Sequence, residues 1–423
     1  MLRRAAAAML GVWCVSCGAT TPAATPCMSD RECQGARVCH QGRCMFEEEA
    51  RASLRAQLVD APTDGSTRGA ETPADAPPGP QAAEQPMFMG GPRRTGRSHR
   101  AGPTAAPSVA WVHRTAERVF ASPVVGGDGT VYVGSLDRTF NALAPDGSVR
   151  WRYAGRDKFY SSAAIASDGT IVVGCHDGSV LGLTREGRLR WRRELPVAVD
   201  ASPVIGPDGT IYVAADGLYA LDVEGNVRFH VAAAGAVRSS PALHPSGLVV
   251  FGTVDGRVRA VDARDGTARW EARVGASVES GAAIAEDGTI YVGTDRGQLL
   301  ALGADGSERW RYEVGSDVRA TPAIARDGTI VFGAYDRHVH AVSPSGERRW
   351  RVETSGRIRA SARIDREGRV YVGSQDDHLY CIAPDGRVLW SRNMGQDIDS
   401  SVAFGEDGTL YVGVDDGGIY ALR

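Results

Sequence analysis

A short element, Asp-Gly-Thr followed by an apolar run closing on Gly, returns along this chain with a nearly fixed step, and that step constrains the fold more than any other feature. It stands at Asp128 (DGTVYVG), Asp168 (DGTIVVG), Asp208 (DGTIYVA), Ser246 (SGLVVFG), Asp287 (DGTIYVG), Asp327 (DGTIVFG), Glu367 (EGRVYVG) and Asp407 (DGTLYVG). The steps are 40, 40, 38, 41, 40, 40 and 40 residues. One copy shows what each unit builds. Arg319–Ala325 reads as a strand, Asp327-Gly328 as a tight turn, Thr329–Gly333 as a second strand and Val339–Val342 as a third. Ser345-Gly346 then turns the chain into a fourth strand ending at Trp350. Asp-Gly turns suit such hairpins because their twist matches that of the flanking strands. Ile330 and Phe332 point to one face and Val331 to the other, so both faces of the sheet must be covered. Copies of the unit on either side supply that cover.

Four short strands repeated at this period predict a β-propeller. A closing aromatic recurs at Trp151, Trp191, Phe229, Trp270, Trp310, Trp350 and Trp390, one short of the eight turn elements. Trp111 stands forty residues before Trp151, inside Pro107–His113. The expected fold is therefore an all-β, eight-bladed propeller whose last blade is completed by the N-terminal Trp111 strand.

The residues ahead of the ring divide into three stretches. Residues 1–17 (MLRRAAAAMLGVWCVSC) have two arginines, an apolar run too short to span a bilayer and a small residue before Cys17, the pattern of an export signal. Val15-Ser16-Cys17-Gly18 resembles a bacterial lipobox, which implies a lipid anchor on Cys17; the alternative is cleavage a few positions later. Residues 18–46 carry Cys27, Cys33, Cys39 and Cys44, an even set that in an exported chain reads as two disulfides. Of three possible pairings, Cys27–Cys39 with Cys33–Cys44 is favoured; zinc is disfavoured because these four form no close C-x-x-C pair and an exported chain meets an oxidising compartment. Residues 47–86 are rich in Ala, Pro and acidic residues and poor in large apolar ones, as expected of a disordered tether. The propeller is expected over 87–423, with Met87–Gly102 (MFMGGPRRTGRSHRAG) lying across the base or side of the ring.

Composition removes several functions. With a net charge of −3 the chain offers no nucleic-acid footprint. Lys158 is the only lysine, so no Walker-type phosphate loop exists. Neither a C-x-x-C-H haem motif nor a G-x-S-x-G nucleophile elbow is present.

The composite pattern of Ala201-Ser202-Pro203-Val204-Ile205, Asp208–Val213 and Leu218–Leu221 resembles the PQQ-type β-propeller repeat, over roughly Met87–Arg423. One branch of that family holds quinone dehydrogenases, which place pyrroloquinoline quinone and calcium over the ring axis beside adjacent cysteines. This chain has no adjacent cysteines, and Cys175 and Cys381 fall in blades two and seven. The resemblance therefore leans to the other branch, non-catalytic propellers of the BamB type, and implies no catalytic residues, cofactor or metal. It implies an outer-membrane lipoprotein, facing the periplasm or the cell surface, that binds an envelope protein or peptide.

A binding site is expected where the repeats differ. The residues that open each innermost strand are Phe120, Tyr160, Asp200, Arg238, Glu279, Arg319, Arg359 and Asp399. They form a ring at the channel mouth in which arginines pair with carboxylates and aromatics anchor a peptide. A solvated funnel of mutually neutralising charges is the plain alternative, and the Phe120/Tyr160 pair also suits a polysaccharide. Asp137, Asp177, Asp255, Asp295, Asp336, Asp376 and Asp416 recur at one place per blade and read as turn caps. His338 and His340 share a strand face, with no convergent carboxylate evident in the sequence to complete a metal site.

Overall fold

The computed structural model describes residues 37–40, 43–46 and 86–423, and the chain divides into two units, residues 1–80 and 81–423. In the first unit, Arg37–His40 and Arg43–Phe46 form an antiparallel hairpin whose backbone register sets Cys39 opposite Cys44. The export signal, Cys17, Cys27, Cys33 and all but the last residue of the tether lie outside the described residues.

In the second unit, eight four-stranded antiparallel sheets follow one another. Blade one comprises Val124–Val125, Val131–Gly134, Thr139–Leu143 and Val149–Ala154. Blade eight comprises Ala403–Phe404, Leu410–Gly413 and Gly418–Leu422, and its outermost strand is Val109–Arg114, antiparallel to Gly418–Leu422. The ring closes on the Trp111 strand, as the repeat count requires.

Strand lengths depart from expectation at both ends of a blade. In blade six the innermost strand is only Ala323–Ile324, whereas the outermost continues past Trp350 to Glu353. Pro322 has no N–H to give a ladder, and the Thr321 N–H turns sideways to Ser361 Oγ of the next blade (2.9 Å). The sequence stretch is extended, but its hydrogen bonds run around the ring.

Two faces of each sheet enter two different cores. Ile330 and Phe332 pack with blade-five residues such as Leu299 and Ala301, while Val331 packs with blade-seven residues such as Val370 and Val372. The closing tryptophans stitch the same joints from outside. Each indole N–H from Trp111 to Trp350 donates to a carbonyl in the next blade, for example Trp310 Nε1 to Pro344 O at 2.8 Å. The neighbouring turn glycine must let the ring in. Gly346 sits at φ +86°, and a Cβ there would lie 2.7 Å from the Trp310 ring.

The Gly-rich stretch before the ring is a strap across the base. Its carbonyls accept the inner-strand N–H groups of Ile165 (from Pro86), Leu243 (Pro92), Ile284 (Arg93), Ile324 (Thr95) and Ile364 (Gly96), at 2.8–2.9 Å. Trp390 has no ordinary turn to meet in blade eight, and Pro103 O of the strap takes its indole N–H at 3.1 Å. Arg94 is wholly buried within this strap. It donates to the carbonyls of Pro241 (2.6 Å), Ser202 (2.7 Å), Pro203 (3.1 Å) and Phe88 (3.2 Å). Burial pushes its guanidinium down to about 9, so it stays charged at neutral pH.

Candidate functional site

A strap on one face and an open mouth on the other turn the channel into a blind cup of about 380 Å³. All eight residues of the expected ring line it: Phe120, Tyr160, Asp200, Arg238, Glu279, Arg319, Arg359 and Asp399. Phe88 of the strap also lines it, and Arg94 lies over the Phe88 ring at 5.3 Å. Below the charged ring runs a belt of small polar side chains. Backbone N–H groups donate to the serine of the next blade, as Ser122 to Ser162 (3.0 Å), Ser162 to Ser202 (3.0 Å) and Ser202 to Ser240 (3.0 Å). The belt resumes from Thr321 to Ser361 (2.9 Å), Ser361 to Ser401 (3.1 Å) and Ser401 to Ser122 (2.9 Å). It is interrupted at Gly281, which has no hydroxyl to offer.

The ring members are not independent. A residue of the loop between the second and third strands of one blade reaches the ring member of the next, 24 residues later in sequence. His176 Nδ1 lies 2.8 Å from Asp200 Oδ1, Gln375 Nε2 donates to Asp399 (2.9 Å), and Arg319 makes two 3.0 Å bonds to Asp295. Arg319 also meets Asp317 at 3.2 Å and Glu279 at 3.6 Å, and Glu279 takes a bond from Arg238 at 2.9 Å. The aromatic side of the mouth is continuous. Phe120 and Tyr160 meet edge-on at 5.6 Å, Tyr160 and His176 at 5.3 Å, and Arg359 lies 4.5 Å above Phe120.

Several expectations change here. Asp137, Asp177, Asp336, Asp376 and Asp416 do cap their turns, each accepting the N–H two residues on. Asp255 does not: it takes the Thr253 hydroxyl and pairs with Arg257 at 2.9 Å, while the Arg257 N–H goes to Thr253 Oγ1. Nor does Asp295, which stands one position earlier in the blade-five turn, facing the mouth, where it holds Arg319. Burial keeps its carboxyl above the usual range even so. His338 and His340 do meet a carboxylate that the sequence did not reveal: Asp336 Oδ2 lies 3.0 Å from His340 Nε2 and 3.4 Å from His338 Nδ1. Among the described residues no group of three or more such side chains is arranged to hold a metal. Cys175 and Cys381 are both buried and free, and burial raises their thiols to about 11 and about 12, which keeps them protonated.

One quarter of the mouth is acidic. Asp397, Asp399 and Asp415 face one another beside Arg118 and Arg359, and burial followed by mutual repulsion holds Asp397 above the usual carboxylate range. Asp415 is pushed up to about 6, first by burial and then by Asp399; its Oδ1 has no protein partner, and its Oδ2 meets Arg118 at 3.3 Å. A carboxyl raised on folding favours the protonated state of the folded chain. Its contribution to stability is therefore lost as pH climbs from the ordinary carboxyl range through about 6. Asp415→Asn should stabilise the protein by roughly 1–2 kcal/mol at pH 8 and by nothing measurable at pH 4, since the exposed Arg118 pairing adds little. Urea titrations at the two pH values check this, and a gain equal at both would remove the assignment.

The comparisons with known proteins agree with this architecture. The family model for the outer membrane protein assembly factor BamB matches residues 105–243, 176–277, 254–375 and 336–423. No curated protein matches the chain significantly. Among solved structures, BamB from Moraxella catarrhalis superposes with a TM-score of 0.64 at 19% identity, covering 75% of this chain and 99% of that one. A europium-containing methanol dehydrogenase superposes with a TM-score of 0.69 at 14% identity, covering 79% of this chain and 90% of that one. At such identities both likenesses speak to the propeller fold alone. The repeats carry the assignment further, because the overlapping matches run without a gap from residue 105 to residue 423, and this chain belongs to the BamB family of PQQ-type repeat propellers.

Proposed function

We propose that this protein is a non-catalytic scaffold of the cell envelope that holds a partner protein at the mouth of its channel. The observation that carries the reading is the asymmetry of the two faces. On the base, the turn aspartates are engaged by arginines of their own blades, as Arg150–Asp128 (2.5 Å), Arg190–Asp168 (2.5 Å) and Arg309–Asp287 (3.3 Å), and the strap covers the axis. On the mouth, no two blades present the same pair of side chains. Variation concentrated on one rim of a rigid repeat is what partner recognition needs. The family model's own description, an outer membrane protein assembly factor, supports a place in the envelope. In this reading residues 1–17 direct export, Cys17 carries a lipid anchor, Cys27, Cys33, Cys39 and Cys44 staple a small module, and residues 47–86 tether the propeller to the membrane.

A photo-crosslinking side chain at Lys158, exposed on the mouth, should capture a discrete envelope protein in intact cells. The same probe at Glu186, exposed on the base, should not. Identical adducts from both positions, or adducts from Glu186 alone, would assign the wrong face.

A further inference from the structure

On the belt inside the cup, the hydrogen-bonding capacity left unused is all of one kind. Each belt serine spends its oxygen as an acceptor of the neighbouring blade's N–H, and none of the six hydroxyls donates to a protein acceptor among the described residues. A hydroxyl has one proton to give, so six donors are left over. Thr321 adds a seventh hydroxyl with no hydrogen bond of its own. Arg359 lies over the face of Phe120 and feels the charges of Asp399 and Asp415, yet it forms no hydrogen bond or ion pair, which leaves its planar fork open. Behind Phe88 sits the buried guanidinium of Arg94, whose partners are four carbonyls and no carboxylate. The acidic ring members have partners already: Asp200 with His176, Glu279 with Arg238, and Asp399 with Gln375. A belt of free donors, with the open fork of Arg359 above it and a buried positive charge beneath, suits an anion with several acceptor atoms.

Its shape narrows the choice. The strap closes the floor, so a segment cannot thread through, and about 380 Å³ admits a chain end and not a folded module. A terminal ammonium would find its carboxylates only at the rim, where Asp200, Glu279 and Asp399 are already engaged, and would meet donors with donors on the belt. The aromatic wall of Phe120 and Tyr160 gives an apolar last side chain somewhere to pack. We infer that the cup captures the C-terminal carboxylate of a partner polypeptide, seated on the serine belt and clamped by Arg359. This deepens the scaffold reading above and rests on it for the partner being a protein.

The test uses the full-length chain and two probes. One is a mixture of fluorescein-labelled hexapeptides, randomised at the last three positions, with a free C-terminal carboxylate; the other is the same mixture carrying a C-terminal amide. Fluorescence anisotropy should give at least about tenfold tighter binding of the acid mixture, the size of one charge-assisted hydrogen-bonded contact. Arg359→Gln should erase that difference. Thr321→Val, which removes a hydroxyl without breaking an internal bond, should weaken the acid mixture several-fold and leave the amide mixture unchanged. Equal binding of the two mixtures, or no binding of either, overturns the inference. If peptides fail while Lys158 still crosslinks a partner, the cup assignment falls and the scaffold stands. If the acid mixture binds but no partner is crosslinked from the mouth, the cup chemistry stands and the scaffold reading falls.

Discussion

Arg94→Met should lower the free energy of unfolding by about 3–5 kcal/mol, with the loss visible as an earlier urea midpoint. Two effects compete. Methionine relieves the cost of burying a charge, which by itself favours the variant. Against this, the substitution strips the donor from Pro241, Ser202, Pro203 and Phe88 carbonyls that lie inside the base. Each buried carbonyl left unpaired costs on the order of 1–3 kcal/mol, so the sum outweighs the relief. Arg94→Lys keeps the charge yet cannot reach blades three and four together, because a single ammonium lacks the guanidinium fork. It should recover less than half of the loss. An unchanged midpoint in Arg94→Met would show that the strap is held by its backbone bonds alone.

A chain starting at Thr115 should have no closed ring, the larger of the two effects. It lacks the strap and also the Val109–Arg114 strand that pairs with Gly418–Leu422. The exposed edge would then bear buried-type residues such as Ile419 and Leu422, a template for pairing with another copy. Size-exclusion chromatography should find oligomers, and the thermal transition should lose its cooperativity. A chain starting at Ser108 keeps the closing strand and should remain a monomer of reduced stability. If both truncations behave alike, closure depends on the strap and not on the strand.

The ring and its mouth could be read from sequence because a fixed period carries position from one blade to the next. Once Arg319 is placed at the opening of an inner strand, Arg359 and Asp399 follow at forty-residue steps, and the cup contains them all. The strap could not be read this way. Met87–Gly102 has no repeat and docks through main-chain carbonyls, which any sequence possesses, so the fate of Arg94 left no pattern. The second tier of the mouth did leave one that went unused: His176, Asp295, Gln375 and Tyr335 each precede a ring member by 24 residues. Asp295 was misplaced because the blade-five turn keeps the common register but carries its aspartate one residue early, where blade six has Tyr335, and Arg296 fills the cap position; counting aspartates by rough position cannot see this. Asp415 lies beside the cap Asp416, and only packing distinguishes the carboxylate that is solvated from the one that is not.

The shared eighth blade also governs the order in which the molecule can be made. Val109–Arg114 leaves the ribosome some 300 residues before Gly418–Leu422, its only ladder partner. Throughout that interval it is a strand without a sheet, and the seven earlier blades stand as an open arc with two uncovered apolar ends. Contacts so distant along the chain form late. The arc must therefore be kept from sticking to itself until the last hairpin emerges, which suits a polypeptide that is kept extended first and allowed to fold afterwards as a whole.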